Sequence, residues 1–347
     1  MANRGCDVKK VLVVGGGLIG ARHVQTVKDH PRCTLVGLVD PNPDIKTGEG
    51  IPRFDDMAQV TTPMDGVILA TPTDLHSAQG QYAAERGWHM LIEKPVAGDM
   101  GAARALGDAV QQAGVGSLVG HHRRYHASVQ QLKQLLAEGA IGTPVTVSMI
   151  WAMRKPDAYF DGNWRTAGGS PVLINLVHDI DTLRFVVGEI VATAALRGRG
   201  LRGETRIESG AIALAFEHGA TGTISFADTT PSPWGFEAAT GENPNIGTTG
   251  QDMLWISGTD GAISFPSMTL WQGKDWGKAA RQKPLVRWEN TKPPLDAQLD
   301  HFLDVMDGAA PLIDVADATR TLEIALAIED QLAAQTTGDG HARSALA

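Results

Sequence analysis

The chain has 347 residues, 43% of them apolar, a formal net charge of −9 and two cysteines, Cys6 and Cys33. That length exceeds one ordinary hydrophobic core, so two domains are expected. The acidic balance gives no broad basic field for nucleic acid or an anionic membrane, and two cysteines without ligand spacing make neither a disulfide framework nor a zinc site.

No apolar run approaches the roughly 18 residues of a membrane span, and Met-Ala-Asn-Arg-Gly-Cys-Asp at the start lacks the apolar segment of a signal peptide. A soluble, cytoplasmic protein with small-molecule partners is expected. The pattern opens with an apolar strand over 11–14, then Gly15-Gly16-Gly17-Leu18-Ile19-Gly20, then a helix over 21–29. Gly15 permits a sharp turn, Gly17 lets the backbone approach a pyrophosphate, and Gly20 lets the helix pack close to the strand. Phosphates then sit on the free N–H groups of the helix start, at Leu18 and Ile19. A second strand, 34–39, ends at Asp40, twenty residues after Gly20. A carboxylate there accepts hydrogen bonds from a ribose diol and repels a 2′-phosphate, which predicts NAD as cofactor over NADP.

A buried strand over 66–70 ends in Thr71-Pro72-Thr73. Asp74 is placed as the N-cap of a helix reaching Arg86, with Gly87 at C′. A strand over 89–92 runs into Glu93-Lys94-Pro95, Asp99 caps a helix reaching Ala113, and a strand over 116–120 precedes His121-His122-Arg123-Arg124-Tyr125-His126. This alternation predicts a doubly wound parallel sheet, the Rossmann arrangement, over residues 1–124. The segments after its strands should line one crevice at their carboxyl ends.

From about residue 125 the pattern changes. A helix over 128–138 is followed by strand-like segments at 145–153, 191–197, 210–217, 220–227, 252–257 and 262–265, with hairpin turns at Glu217-His218-Gly219-Ala220 and Thr259-Asp260-Gly261. Helices are expected at 172–187, 296–306 and 315–334. Residues 125–347 thus read as a C-terminal α/β domain with a large, mostly antiparallel open sheet. The polar tail, 336–347, is expected to fray.

Lys94 lies one step beyond a strand, between an acid and a proline that fixes the local backbone. A lysine there can hydrogen-bond a substrate hydroxyl and help remove its proton. His178 shares a predicted helix face with Ile174 and Asp181, and Asn175 borders that face. Histidine's ordinary pKa near neutrality suits it to act as general base. Arg123 and Arg124 offer a grip for a carboxylate or phosphate; adjacent arginines equally often make one buried ion pair and one solvated side chain. Trp151, Trp164 and Trp234 are candidates for an apolar wall against a sugar ring. The histidine clusters at 121–126 and 178–181 lack zinc spacing, so no metal is expected.

Together the glycine fingerprint, Asp40, Ala70-Thr71-Pro72-Thr73, Glu93-Lys94-Pro95, Arg123-Arg124-Tyr125, Trp164-Arg165, Gly168-Gly169 and His178-Asp179-Ile180-Asp181 resemble the Gfo/Idh/MocA oxidoreductase family over nearly the whole chain. The resemblance implies hydride transfer at a secondary hydroxyl or hemiacetal of a sugar, cyclitol or related polyol, with Lys94 and His178 catalytic. It implies that Thr71, Pro72, Thr73, His76, Glu93, Lys94 and Arg123 line the cofactor, that Trp164 and Arg165 approach the nicotinamide, and that Asn175, Arg124, Tyr125, Trp151 and Trp164 meet substrate. A homodimer or homotetramer through the C-terminal sheet is implied as well. One departure stands out: many polyol dehydrogenases carry an aspartate four residues before the histidine, and this chain has Ile174 there. Two alternatives are a dehydrogenase of a carboxylated cyclic diol, of dihydrodiol type, gripped by Arg123 or Arg124, and a non-catalytic NAD-binding regulator.

Overall fold

The computed structural model describes residues 8–48, 50–160, 170–203, 206–278, 280–283 and 292–335. In chain order they form β1 (Lys9–Val14), α1 (Leu18–Asp29), β2 (Cys33–Val39), β3 (Arg53–Phe54), β4 (Gly66–Leu69), α2 (His76–Glu85), β5 (His89–Ile92), α3 (Met100–Ala113), β6 (Ser117–Val119), α4 (Ala127–Ala137) and β7 (Pro144–Ala152). They continue with α5 (Val177–Val186), β8 (Ile190–Arg197), β9 (Ser209–Phe216), β10 (Thr221–Ala227), α6 (Phe236–Thr240), β11 (Leu254–Gly258), β12 (Gly261–Phe265), β13 (Thr269–Gln272), β14 (Arg281–Lys283), α7 (Pro294–Met306) and α8 (Val315–Ala333). The chain divides into two compact units, Met1–His126 with Thr291–Leu322, and Ala127–Asn290 with Glu323–Ala347. No described helix is long and apolar enough to cross a membrane.

The first unit holds six parallel strands in the order β3-β2-β1-β4-β5-β6. Val11 to Val14, Val67 to Leu69 and Met90 to Ile92 are all buried, as strands covered on both faces must be. Strand order reverses between β1 and β4, the place where such a sheet opens a crevice at its carboxyl ends. Asp99 caps α3 as expected, accepting from the Ala102 N–H at 2.8 Å, and Gly87 adopts φ +71° after α2. Asp74 does not cap α2. It lies inside a 3₁₀ turn, Thr73–Leu75, that follows the extended Pro72, so the α-helix begins two residues later at His76.

Residues 291–322 correct the boundary drawn from sequence, which gave everything after 125 to the second domain. Helix α7 presents Phe302, Val305 and Met306 to the sheet of the first unit, and glycines leave the hollows that receive them. A side chain at Gly66 would clash with Met306 Cε and meet Phe302 Cζ at 3.1 Å, and one at Gly116 would meet Val305 at 2.6 Å. His30–Asp300 (2.8 Å), Arg32–Asp304 (2.6 Å) and Lys9–Asp307 (2.6 Å) border the contact. Such partly exposed pairs contribute little beside the apolar burial.

The second unit holds eight strands in the order β14-β13-β12-β11-β7-β10-β9-β8, antiparallel except for the β7–β10 pair. Both predicted hairpins form, β9 to β10 with Gly219 at φ +90° and β11 to β12. Alternation puts Val147, Met149 and Trp151 of β7, with Ile212, Leu214, Phe216, Ile224 and Phe226 of its neighbours, into one core with Val172, Leu176, Ile180, Leu183, Ile328 and Leu332. The opposite face carries no charge along its cross-strand rows. One row runs Ala192, Ala215, Thr221, Thr146, Ser257, Ala262 and Trp271; the next runs Ala194, Ala213, Thr223, Ser148 and Trp255.

Candidate active site

The loop after β1 has the shape its glycines require. Gly15 has φ +96°, and a side chain there would press on the Ala70 carbonyl at the end of β4. One at Gly20 would clash with the Gly15 carbonyl, so α1 crosses the loop at backbone contact. A side chain at Gly17 would meet nothing within 4 Å, and no side chain caps α1 at this residue. The first N–H groups of α1 have no intrahelical partner. Leu18 is 81% exposed beside them. Open space, unpaired donors and a positive helix end fit a pyrophosphate.

Asp40 Oδ2 accepts the Gly16 N–H at 2.7 Å, and its Oδ1 accepts the Asn42 N–H at 2.9 Å. The acid therefore stands against the glycine loop, where a ribose diol belongs when a dinucleotide binds. The pairing of strand end and loop predicted from sequence is present, and the residues of this unit fit NAD.

The ends of β4 and β5 are joined by buried polar groups. His76, 1% exposed, points Nε2 at the Thr71 carbonyl (3.0 Å) and Nδ1 at the Pro95 carbonyl (2.9 Å). Burial pushes the ring below its ordinary pKa, opposed by the hydrogen bonds to Pro95 and Thr71. His76 was expected to line the cofactor; the ring is buried between these two carbonyls, and in its neutral form it donates its one N–H to one of them. Thr71 Oγ1 donates to Gln79 Oε1 at 2.6 Å.

Glu93, 6% exposed, was also expected against the cofactor, and its carboxylate is turned inward. Oε1 meets His23 Nε2 at 2.9 Å, and Oε2 accepts the Lys94 N–H at 3.2 Å. Burial alone would raise this carboxyl. The His23 hydrogen bond outweighs it, aided by the charges of His23, His122 and Lys94, and holds the group at about 2. A side chain at Gly120 would lie 2.9 Å from Glu93 Oε2 and 3.0 Å from Glu93 Cα, so the carboxylate packs directly on this glycine. His23 was missed from sequence, although Gly20, His23 and Val27 follow the 3-and-4 spacing of a buried helix face.

The turn after β6 departs further from expectation. Arg123 and Arg124 are 1% and 4% exposed, so neither is solvated. Arg124 Nη1 donates to Asp317 Oδ2 (2.7 Å) and to the Leu312 carbonyl (3.1 Å). Tyr125 Oη meets His301 Nδ1 at 2.8 Å, while His301 Nε2 lies 3.0 Å from the Ala310 carbonyl. A carbonyl only accepts, so Nε2 carries the proton and the phenol donates to Nδ1. Burial pushes the Tyr125 phenol up. The reason is the returning segment: Arg124 and Tyr125 hold residues 301–317 in place.

In the second unit, Val172–Leu176 form one π-helical turn before α5, with the Val177 N–H reaching the Val172 carbonyl. The uniform helix expected over 172–187 would not give this wider turn, and it carries Ile174 and Asn175. Such turns occur often at functional sites. Asn175 Oδ1 is buried with no hydrogen-bond partner among the described residues, and His178 is 7% exposed at the start of α5. Trp151 is a fully buried core residue and not an open wall, because alternation turns it inward on β7. Trp234 is 39% exposed, with its carbonyl accepting the Ala152 N–H at 2.8 Å. Trp164, Arg165, Gly168 and Gly169 lie outside the described residues. Among the described residues, no group of three or more His, Cys, Asp or Glu could hold a metal.

Comparison with known proteins agrees with this geometry. A model of the oxidoreductase family with an NAD-binding Rossmann fold matches residues 9–121, and a model of the GFO/IDH/MocA C-terminal domain matches residues 129–264. A 1,5-anhydro-D-fructose reductase of Ensifer adhaerens is 36% identical over 199 residues, 53% of this chain and 57% of that relative. A scyllo-inositol 2-dehydrogenase (NAD(+)) of Bacillus subtilis is 25% identical over 91% of each chain. Among solved structures, an oxidoreductase from Agrobacterium radiobacter in complex with NAD+, L-tartaric acid and magnesium superposes with a TM-score of 0.77 at 20% identity, covering 94% of this chain and 96% of that one. The WlbA dehydrogenase from Bordetella pertussis in complex with NADH and UDP-GlcNAcA gives 0.75 at 22% identity, covering 93% and 96%. With both of the family's domains matched in order along the chain, the protein belongs to the GFO/IDH/MocA oxidoreductases and carries their NAD-binding Rossmann domain.

Proposed function

We propose that the chain is an NAD-dependent dehydrogenase taking hydride from a secondary hydroxyl or hemiacetal carbon of a sugar, inositol or related polyol. The observation that carries this reading is Lys94 at the carboxyl end of β5, on a peptide fixed by buried Glu93, in the unit that holds the glycine loop and Asp40. When bound, the nicotinamide supplies the hydride acceptor. Lys94 hydrogen-bonds the substrate hydroxyl and stabilises the negative charge that develops on its oxygen. His178 accepts the hydroxyl proton. Asn175, whose Oδ1 has no partner among the described residues, accepts a hydrogen bond from a neighbouring hydroxyl. The names of the anhydrofructose reductase and the inositol dehydrogenase support the substrate class.

The uncharged outer face of the eight-stranded sheet supports a homodimer or homotetramer formed through it. Exposed Leu196 and Trp271 on a surface of alanine, serine and threonine are suited to burial against a second copy. Light scattering should return at least twice the chain mass, and Thr223→Arg, in the middle of that face, should shift it to the monomer. A monomer before substitution would contradict the assembly.

Cofactor choice follows from Asp40. Calorimetry should give a Kd for NAD+ at least about tenfold below that for NADP+, with the gap narrowed in Asp40→Ala. Equal or tighter NADP+ binding by the unmodified chain would contradict this.

The proton-handling roles are tested on the best substrate found by NADH absorbance across sugars, inositols and other polyols. Lys94→Ala and His178→Ala should each lower kcat by about 10²–10⁴-fold, with NAD+ affinity retained. Full turnover in either variant removes that residue from the mechanism.

A further inference from the structure

Along α8, Ala325, Ile328 and Leu332 join Val172, Leu176 and Ile180 in the core of the second unit. Glu329 follows Ile328, four residues after Ala325 and three before Leu332, and so stands on the same core-facing stripe of the helix. A carboxyl adds nothing to apolar packing at such a position. Its Oε1 is buried and has no hydrogen-bond partner among the described residues. The contact that the carboxyl makes is with backbone: it accepts from the Leu173 N–H. Burial pushes the group up to about 7, the Leu173 hydrogen bond opposes the shift, and neighbouring Asp330 adds to it. No cation is among these influences, so the N–H at the start of a helical turn is what compensates the acid.

Leu173 belongs to the π-helical turn Val172–Leu176, and the N–H groups that open this turn are held by acceptors from two parts of the chain. Ser170 Oγ accepts from Val172 at 2.9 Å and the Ser170 carbonyl from Ile174 at 3.1 Å; between them, Leu173 is held by Glu329. The turn closes with the Val177 N–H on the Val172 carbonyl. It carries Asn175 and runs directly into α5, where His178 is the second residue. The register of the turn therefore decides where both side chains point. Helix α8 is itself a fixed support. Gln331 Nε2 donates to Thr193 Oγ1 at 3.0 Å, and Gln335 Nε2, just past the helix, donates to the Ala195 carbonyl at 2.8 Å, fastening α8 to β8.

We propose that Glu329 is a positioning residue for the reaction: its carboxyl reaches from α8 to the Leu173 N–H, holds the π turn in register and thereby aims Asn175 and His178 at the substrate. It acts through the turn and not by contact with the substrate. The proposal rests on the dehydrogenase reading above, which supplies the roles of Asn175 and His178. A carboxylate, a protonated carboxyl and an amide each offer an acceptor oxygen to an N–H, so Glu329→Gln keeps the contact. Glu329→Leu fills the place and removes it.

The test compares these two variants with the unmodified chain. Backbone hydrogen exchange over residues 172–176 should quicken by about fivefold or more in Glu329→Leu, the loss of one hydrogen bond, and stay within about twofold in Glu329→Gln. On the best substrate found by NADH absorbance, Glu329→Leu should lower kcat by about tenfold or more with the KM for NAD+ unchanged, and Glu329→Gln should keep most of the turnover. Tm should not fall in Glu329→Leu, because leucine suits a core-facing stripe. Unchanged exchange or full turnover in Glu329→Leu, an equal loss of kcat in both variants, or a loss that follows a fall in Tm overturns the proposal. NADH binding by the unmodified chain, read by its fluorescence, separates the two levels. With NADH bound, those outcomes count against Glu329 alone. With none bound, the dehydrogenase reading falls and takes the catalytic consequence with it, while exchange still decides the contact.

Discussion

The first unit depends on one buried carboxylate. Glu93 lies at the end of β5, 6% exposed, between His23 on α1 and the backbone N–H of Lys94. An isolated ion at that depth would cost several kcal/mol, and it is kept charged by a hydrogen-bonded histidine and further positive groups. Removing one member of such a pair leaves the other uncompensated, a loss of about 3–5 kcal/mol. Glu93 therefore does more than occupy a motif. It links the helix that receives phosphates to the peptide that carries the lysine.

The other polar contacts extend this constraint. His76 packs between a carbonyl of the loop after β4 and one of the loop after β5, donating to one of them, and Arg124 and Tyr125 fasten the turn after β6 to residues 301–317. All three loops lie at carboxyl ends of parallel strands, where backbone groups leave the sheet ladder and need partners. In this unit the residues that resemble a cofactor lining divide into two kinds. Leu18 is exposed and Asp40 accepts from the glycine loop, whereas Glu93, His76 and Arg123 are buried groups.

Much of this was legible in the sequence because it follows local rules. Periodicity and turn chemistry located β1, β2, β4, β5, the Asp99 cap, the Gly87 terminus and both hairpins. The glycine spacing carried the loop geometry, since only glycine fits at Gly15 and Gly20. What escaped depends on contacts between residues far apart in the chain. Nothing near Arg124 foretells Asp317, nothing near Glu93 names His23, and α7 reads as an ordinary amphipathic helix until Gly66 and Gly116 are seen to receive it. The π turn at Val172–Leu176 is invisible to a 3.6-residue count. Short β13 and β14 lack the length for a clear period.

The central claim is that Glu93 is an ionised, buried tether. Because its folded pKa lies below the unfolded value, its contribution to stability is present above about pH 4.5 and is lost as pH falls toward 2. The direct measurement is the ¹³C resonance of the Glu93 side-chain carboxyl, assigned by comparison with Glu93→Gln and followed from pH 7 to pH 4. The account predicts a carboxylate shift that stays flat across that range. An inflection between pH 4 and 5, the titration of an ordinary glutamate, would contradict it.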